Sequence, residues 1–182
     1  DQEGEITSSF YPDQTFDAAM ATYTVHQWSH VRQGLREMRR VTSGPVLILS
    51  WHPQELARFC LQTYAPEVIA VEVRRYPSID SISAALGGTT RVVSVPIPLD
   101  CRDGFNEAYY GRPERLLEAS ARLACSAWSF VDHTAVERFE HLLRRHLENG
   151  SWDAALGHLR TQPEFHGSLK LVVSTNASNS GR

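Results

Sequence analysis

Blocks of apolar residues, separated by polar turns, follow two different spacings along the chain. Residues 16–25 form a nearly continuous run of small and apolar side chains, typical of a strand buried on both faces of a sheet. Over 30–42, apolar residues recur at steps of three and four, which predicts a helix with Ser29 as its N-cap and Gly44-Pro45 as its end. The uninterrupted apolar run at 46–50 predicts a second strand. A strand, a helix and a strand within about 35 residues indicate a βαβ unit, so we expect the two strands to be adjacent and parallel.

The rest of the chain predicts more helices, two further strands and an inserted segment. A capping box, Thr134 with Glu137, starts a helix that Asn149-Gly150 ends. Further helices are expected at 53–65, 113–128 and 152–159, and further strands at 91–99 and 169–175. We divide the chain into a core sheet with helices at 1–64, an insertion or lid at 65–90, late strands with a helical insertion at 91–175, and a polar tail at 176–182.

Composition narrows the functional classes. The 182 residues are 42% hydrophobic and 21% charged, close to globular averages, and 18 Lys+Arg against 21 Asp+Glu leave a formal charge of −3. This charge argues against a domain that binds nucleic acid through its phosphates, and no apolar run has the roughly 18–20 residues of a membrane span. Three widely spaced cysteines favour a reducing compartment, so we expect a cytoplasmic protein. Residue 1 is Asp, and we expect the chain to be processed or to be part of a longer protein.

Several segments, in the correct order, resemble the class I S-adenosylmethionine-dependent methyltransferases, and among them the type 11-like group. The stretch GEITSSFYPDQTFDAAM at 4–20 is similar to the segment that leads into the fourth strand of this family. His26-Gln-Trp, followed by LREMRRV at 35–41, is similar to the loop and helix that come next. Similar segments also occur at 44–51, 100–105, 109–114 and 167–173, the last of which resembles the final strand of the family.

The resemblance covers nearly the whole chain, but it extends over only the C-terminal two-thirds of such an enzyme. The family's glycine-rich loop after its first strand and the acidic residue that ends its second strand have no counterpart, because Gly87-Gly88 lacks the required spacing. Thr7 stands where the family usually has an acid, and Phe10 where it usually has proline. The resemblance implies a Rossmann-like α/β fold, incomplete at the N-terminus, in which a mostly parallel sheet has flanking helices and a helical insertion before the last strand.

The resemblance also implies S-adenosylmethionine as cofactor and a small molecule as methyl acceptor. His26 lies just beyond the expected carboxyl end of a strand, where ligands of open α/β sheets bind, so we expect it to be a catalytic base or acceptor contact. A structural role at the strand end is the alternative for His26, and plain core packing is the alternative for the two tryptophans. The expected cofactor-binding residues are Gly4, Ile6, Thr7 and Tyr23, and the expected substrate-binding residues are Trp28 and Trp51.

Other chemistries are less well supported by the sequence. His26, His30 and His52 could be drawn as a metal site, but no acid stands at a helpful spacing, and we expect no metal. Cys101, His133 and Asp132 could be drawn as a hydrolase triad, yet nothing resembling a strand-to-helix nucleophile turn surrounds the cysteine.

Three functions therefore stay open. The first is methyl transfer, with this chain supplying mainly the acceptor side. The second is a non-catalytic, methyltransferase-derived binding or interaction module that has lost the cofactor site. The third is a repurposed active site that catalyses a different reaction on a related ligand. A homodimer is a further expectation, since missing strands would leave an open sheet edge.

Overall fold

The computed structural model describes residues 11–176, which contain six strands and eight α-helices. The strands are β1 Ala19–Thr22, β2 Val46–Trp51, β3 Thr89–Ser94, β4 Ile97–Pro98, β5 Glu164–Phe165 and β6 Leu169–Thr175. The α-helices are α1 Val31–Val41, α2 Pro53–Leu56, α3 Leu61–Tyr64, α4 Pro66–Arg75, α5 Ile79–Leu86, α6 Ala119–Leu123, α7 His133–Glu148 and α8 Ser151–Leu156. Short 3-10 helices lie at Val25–Gln27, Asn106–Tyr109, Pro113–Leu117, Ser126–Phe130 and Gly157–Arg160. No helix within the described range is both long and apolar enough to cross a membrane.

Four of these strands form one mixed sheet in the order β1-β2-β6-β3. β1 and β2 are parallel and adjacent, as the sequence predicts, with Met20 opposite Leu47. β6 runs antiparallel to both of its neighbours and places Val172 between Ile48 and Val92. Three of the four strands therefore point the same way, and the expected Rossmann-like α/β class with flanking helices is confirmed.

The chain forms two compact units, and the expected lid at 65–90 is divided between them. One unit consists of Asp1–Pro53, Arg75–Val95 and Leu169–Arg182, and the other consists of Gln54–Arg74 and Pro96–Ser168. In the first unit, α1 and α5 bury their apolar sides in one cluster with the four-stranded sheet. The buried residues of this cluster are Ala21, Val25, Leu35, Met38, Val46, Ile48, Ile79, Ile82, Ala85, Leu86 and Val172. α5 is therefore a core helix of the first unit.

The first strand is shorter and more exposed than the run at 16–25 predicts. Only Ala19–Thr22 is a strand, and Phe16 contributes an isolated bridge to Thr42. Ala21 is buried in the core, but Met20, on the opposite face, is 67% exposed. The expectation of burial on both faces is wrong, because small residues such as alanine fit a half-covered strand as well as a buried one.

Two helices expected from the sequence are broken into short turns. In the segment 53–65, the buried apolar residues Leu56, Phe59, Leu61 and Tyr64 are spaced three, two and three apart. A continuous helix cannot place this spacing on one face, so the chain interrupts the helix between α2 and α3. The segment 113–128 is interrupted in the same way, by a 3-10 helix before α6 and another after it.

The helix starts differ from the expected caps in two places. The N-cap of α1 is His30 rather than Ser29, and its side chain makes no capping hydrogen bond within the described structure. The N-cap of α7 is Asp132 rather than Thr134, and its carboxylate accepts a hydrogen bond from the backbone N–H of Ala135 at 2.8 Å. Aspartate is as effective an N-cap as threonine, so the earlier of two competent residues starts the helix.

The second unit has a largely helical core with buried polar anchors. The indole N–H of Trp128 donates to Asn106 Oδ1 at 2.9 Å. Glu107, which is 2% exposed, accepts the backbone N–H of Ser168 with both carboxylate oxygens at 3.1 Å. β4 and β5 pair as a separate two-stranded sheet, with Ile97 opposite Phe165. These contacts satisfy polar groups that would be costly to bury alone.

The turn between α1 and β2 yields a stability prediction. A Cβ atom on Gly44 would lie 2.0 Å from the carbonyl oxygen of Asp17, which is backbone and cannot move away cheaply. We expect Gly44→Ala to destabilise the protein by about 1–3 kcal/mol, the usual range for overpacking, as measured by urea unfolding. Gly157→Ala is the matched control, because its Cβ would meet Asp153 at an ordinary 3.6 Å. Equal unfolding midpoints for the two variants would contradict the described packing of the α1–β2 turn against Asp17.

Candidate functional site

The carboxyl ends of β1 and β2 form one edge of the sheet. Thr22 pairs with Leu49, and the backbone N–H of Tyr23 donates to the Leu49 carbonyl at 3.0 Å. The two parallel strands therefore end side by side. Ligands of open α/β sheets bind beyond the carboxyl ends of the strands, so this edge is where a site is expected.

His26 lies at this edge, on the short 3-10 helix that follows β1. The turn is closed by a hydrogen bond from the Gln27 N–H to the Thr24 carbonyl at 2.8 Å, and it is anchored by Val25, which is fully buried. The imidazole packs on the ring of Tyr76, with ring centroids 4.3 Å apart and planes tilted by 39°. Within the described structure, Nδ1 of His26 is buried and has no hydrogen-bond partner. The ring therefore keeps unused hydrogen-bonding capacity at the predicted site.

The surroundings of His26 favour its neutral form. Burial, and secondarily the positive charge of Arg75, lower the pKa of His26 to about 4. Both causes act against the imidazolium, since burial removes its hydration and a cation repels it. At neutral pH the imidazole is therefore uncharged, and it can accept a hydrogen bond or a proton.

Two aromatic residues expected at the site meet at the same edge. The rings of Tyr23 and Trp51 are 5.4 Å apart, although one was expected to contact the cofactor and the other the acceptor. Trp51 is only 6% exposed, so most of its ring is covered. Tyr23 has a backbone φ of +56°, which is rare for a bulky residue and typically costs about 1–3 kcal/mol. Such strain is concentrated at functional sites, which is consistent with a role for this turn.

The structure does not place the remaining expected site residues at the edge. Trp28 is partly buried and packs against the hydrophobic core of the first unit, so its contact with an acceptor stays a prediction. Gly4, Ile6 and Thr7 lie outside the described residues.

Polar residues that the sequence analysis did not select lie at the ends of β2, β6 and β3. Ser50 is fully buried, and its Oγ has no hydrogen-bond partner among residues 11–176. Lys170 stands opposite Ser50 on β6 and opposite Ser94 on β3, and its Nζ donates to Ser94 Oγ at 3.3 Å. His52, just after β2, also has a buried Nδ1 without a partner in that range. Two of these residues could have been selected from the sequence, because Ser50 and Lys170 each interrupt an otherwise apolar run in a predicted strand.

The alternative sites are not assembled by the described residues. Over the range 11–176, no group of three His, Cys, Asp or Glu side chains could hold a metal ion. Asp132 accepts hydrogen bonds from Ala135 and Thr134 as a helix cap, and His133 contacts Glu137 on the helix surface. Both residues expected in a triad with Cys101 are thus used at the start of α7.

The fold has a solved counterpart, although sequence comparison alone finds none. No family profile matches the chain, and no curated protein sequence matches it. A candidate methyltransferase from an antibiotic biosynthesis pathway of Anabaena variabilis superimposes with a TM-score of 0.84 over 94% of this chain and 71% of its own, at 23% identity. The chain shares the fold of that protein. The expected resemblance to methyltransferases is therefore confirmed at the level of the fold.

Two other solved structures overlap more loosely with the chain. The YcgJ protein of Bacillus subtilis has a TM-score of 0.49 at 16% identity and covers 98% of this chain and 71% of its own. The [4+2]-cyclase SpnF has a TM-score of 0.42 at 14% identity and covers 94% of this chain and 53% of its own. At these scores neither structure bears on the function of the chain.

The burial of neutral His26 predicts an acid-dependent loss of stability. Below pH 6.5 the unfolded chain binds a proton on this residue that the folded chain takes up only near pH 4, so stability falls between these values. The free energy of unfolding should decrease less between pH 7 and pH 4.5 in His26→Gln than in wild type. After discounting for partial exposure, we expect the difference to be on the order of 1–2 kcal/mol. Urea unfolding at the two pH values measures it, with the exposed His141→Gln as control. If both variants show the wild-type pH dependence, His26 is not buried in its neutral form.

Proposed function

We propose that the protein takes part in S-adenosylmethionine-dependent methyl transfer to a small-molecule acceptor, and that this chain supplies mainly the acceptor side. The observation that carries the proposal is the neutral, half-buried His26 at the carboxyl edge of β1 and β2, with Nδ1 unpartnered within the described residues. It occurs on a fold shared with a candidate methyltransferase.

The proposed role of His26 follows from its protonation state. Bound S-adenosylmethionine supplies the methyl group from its sulfonium. An acceptor heteroatom that loses a proton during transfer needs a nearby base, and an uncharged imidazole can take that proton. Because its pKa is about 4, His26 is a weak base at neutral pH. A weak base suits an acceptor whose attacking atom carries an acidic proton, or one that needs a hydrogen bond for orientation.

The residues present fit the acceptor side better than the cofactor side. The half-buried Tyr23 offers aromatic surface at the edge, beside the covered ring of Trp51. His26, Ser50 and His52 each have a buried polar atom without a partner over 11–176. The carboxylate and ribose of S-adenosylmethionine need donors and an acid, and the sequence lacks the corresponding glycine-rich loop and acidic residue. Losing two charge-assisted hydrogen bonds of roughly 1.5–3 kcal/mol each would weaken binding by about two to four powers of ten. We therefore expect these 182 residues alone to bind the cofactor weakly.

The proposed acceptor is a small aromatic or apolar molecule, and the proposed compartment is the cytoplasm. The aromatic pair Tyr23–Trp51 supports the first statement. The second is supported by the free thiols of Cys60, Cys101 and Cys125, which are typical of a reducing compartment.

A non-catalytic binding module is the second candidate. It is supported by the absence of a glycine-rich loop from these 182 residues, since a fold without cofactor contacts can still bind a small molecule. The two functions differ in one observable, which is whether S-adenosylhomocysteine is formed when an acceptor is added.

An activity assay separates these candidates. The native polypeptide that carries these residues is incubated with methyl-labelled S-adenosylmethionine and the small-molecule fraction of its source cells, and acceptor-dependent S-adenosylhomocysteine is measured. We expect His26→Ala to lower kcat by roughly 10²–10⁴-fold with little change in cofactor affinity, because a base acts in the chemical step. His141→Ala, on the exposed side of α7, is the control and should keep wild-type turnover.

One result would count against the enzyme, and another against the proposed role of His26. Cofactor binding without any acceptor-dependent product would favour the binding module. Product formation that is equal in wild type and His26→Ala would leave methyl transfer standing, but it would remove His26 from the chemistry.

A further inference from the structure

We propose that Tyr76, on the link between α4 and α5, is a positioning residue that fixes the imidazole of His26 and, together with the charge of Arg75 at the end of α4, keeps it uncharged. This inference rests on the proposed role of His26 at the acceptor site. Neither residue was selected from the sequence, because 50 positions separate Tyr76 from the histidine.

The link that carries Tyr76 is rigid for reasons visible in its sequence. Pro77 restricts Tyr76 to extended backbone, and Ser78 then caps α5 by accepting the Ser81 N–H at 3.1 Å. The Ser81 hydroxyl donates to the Ser78 carbonyl at 2.7 Å, which closes the first turn of α5 a second time. The backbone of these three residues is thus restricted, and with it the direction in which the Tyr76 side chain leaves the chain.

The two rings are attached to one hydrophobic core. Val25, which precedes His26, is fully buried, and Ile79, the first residue of α5, is 5% exposed. Both belong to the same cluster of the first unit. The stacking distance of 4.3 Å between His26 and Tyr76 is therefore set by the core rather than by two flexible loops. A ring held in this way restricts the imidazole to the orientation that the chemistry needs.

The charge of Arg75 acts in the same direction as the burial by Tyr76. Among the described residues, Arg75 is the charged side chain whose field acts on His26, and Tyr76 is the other titratable group in contact with its ring. The phenol of Tyr76 excludes water from one face of the imidazole, and the guanidinium of Arg75 repels a proton on it. Burial, to which the ring of Tyr76 contributes, has the larger effect and the charge of Arg75 the smaller, and both lower the pKa of His26, which lies at about 4.

The consequence is a base that stays available over a wide pH range. An ordinary surface histidine is partly protonated near pH 6.5 and loses its acceptor function there. With Tyr76 and Arg75 in place, His26 presents a neutral ring at any pH above about 5. Methyl acceptors can then be used in mildly acidic conditions without loss of the proton acceptor.

NMR titration of the histidine ring protons tests this directly and needs neither cofactor nor acceptor. Wild type should show His26 titrating near pH 4. Tyr76→Leu and Arg75→Gln should each raise this midpoint toward 6.5, by about one unit or more for the loss of the ring. Tyr76→Phe keeps the ring and Arg75→Lys keeps the charge, so both should stay close to wild type. The exposed Arg32→Gln and Tyr11→Leu are matched controls without contact to His26.

The outcomes separate this inference from the proposed function. An unchanged His26 midpoint in Tyr76→Leu and Arg75→Gln overturns the inference, whatever the activity of the protein. Raised midpoints in a protein that forms no methylated product would support the positioning role and reject methyl transfer. If Tyr76→Leu does not fold, Arg75→Gln still decides, because an unchanged His26 midpoint after loss of the arginine charge contradicts the electrostatic part of the inference. In an active protein, the acid limb of kcat should shift with the midpoint.

Discussion

The antiparallel insertion of β6 between β2 and β3 is the constraint on which the sheet and its candidate site depend. β6 hydrogen-bonds to both neighbours over six residues each, from Val46 to Trp51 on one side and from Thr89 to Ser94 on the other. At its centre, Val172 is fully buried between Ile48 and Val92. Without this strand, β3 would have no partner in the described structure, and α5 would lose part of the surface on which it packs.

The pairing of β6 with β2 also determines where the hydrophobic core ends and the polar edge of the sheet begins. On the core-facing side of the sheet, the apolar pair Ile48–Val172 is followed, two residues further along each strand, by the polar pair Ser50–Lys170. Side chains two residues apart on a strand share a face, so this polar row caps the core layer. The loop after β1, with His26, lies at the carboxyl end of the neighbouring strand. The candidate site therefore lies where burial is still high but hydrogen bonding is incomplete, which is a combination that shifts pKa values and favours ligands.

Sequence patterns predicted those helices and strands in which the spacing of apolar residues and the turn residues at the ends match the way the element packs. β6 was expected at 169–175 and is found there, because a charged or polar residue interrupts an apolar strand without hiding it. α7 ends at Glu148 because Asn149-Gly150 supplies the left-handed residue that stops a helix. The length of β1 was overestimated, since the alanines and threonines between 18 and 24 do not distinguish a strand from the turns around it. The broken helices near 53–65 and 113–128 require knowledge of which side chains share a face, and this is a tertiary property.

The sequence predicted only those candidate site residues that lie close to the end of a predicted strand. His26 and Trp51 could be chosen because each follows a predicted strand, and the resemblance to methyltransferases added Tyr23, whose ring does meet that of Trp51. Tyr76 could not be chosen, since its contact with His26 is created by the core that joins Val25 to Ile79. Long-range contacts of this kind leave no periodic signal in the sequence.

The claim that the carboxyl edge of β1 and β2 binds ligand is tested most directly by mapping NMR chemical shifts while S-adenosylhomocysteine is added. Mapping detects weak binding as well as tight binding. Shifts should be largest at Tyr23, at His26 and at the indole N–H of Trp51, and they should be absent at Ala19 and Gly87, which lie toward the opposite end of the sheet. Shifts confined to that opposite end would contradict the placement of the site.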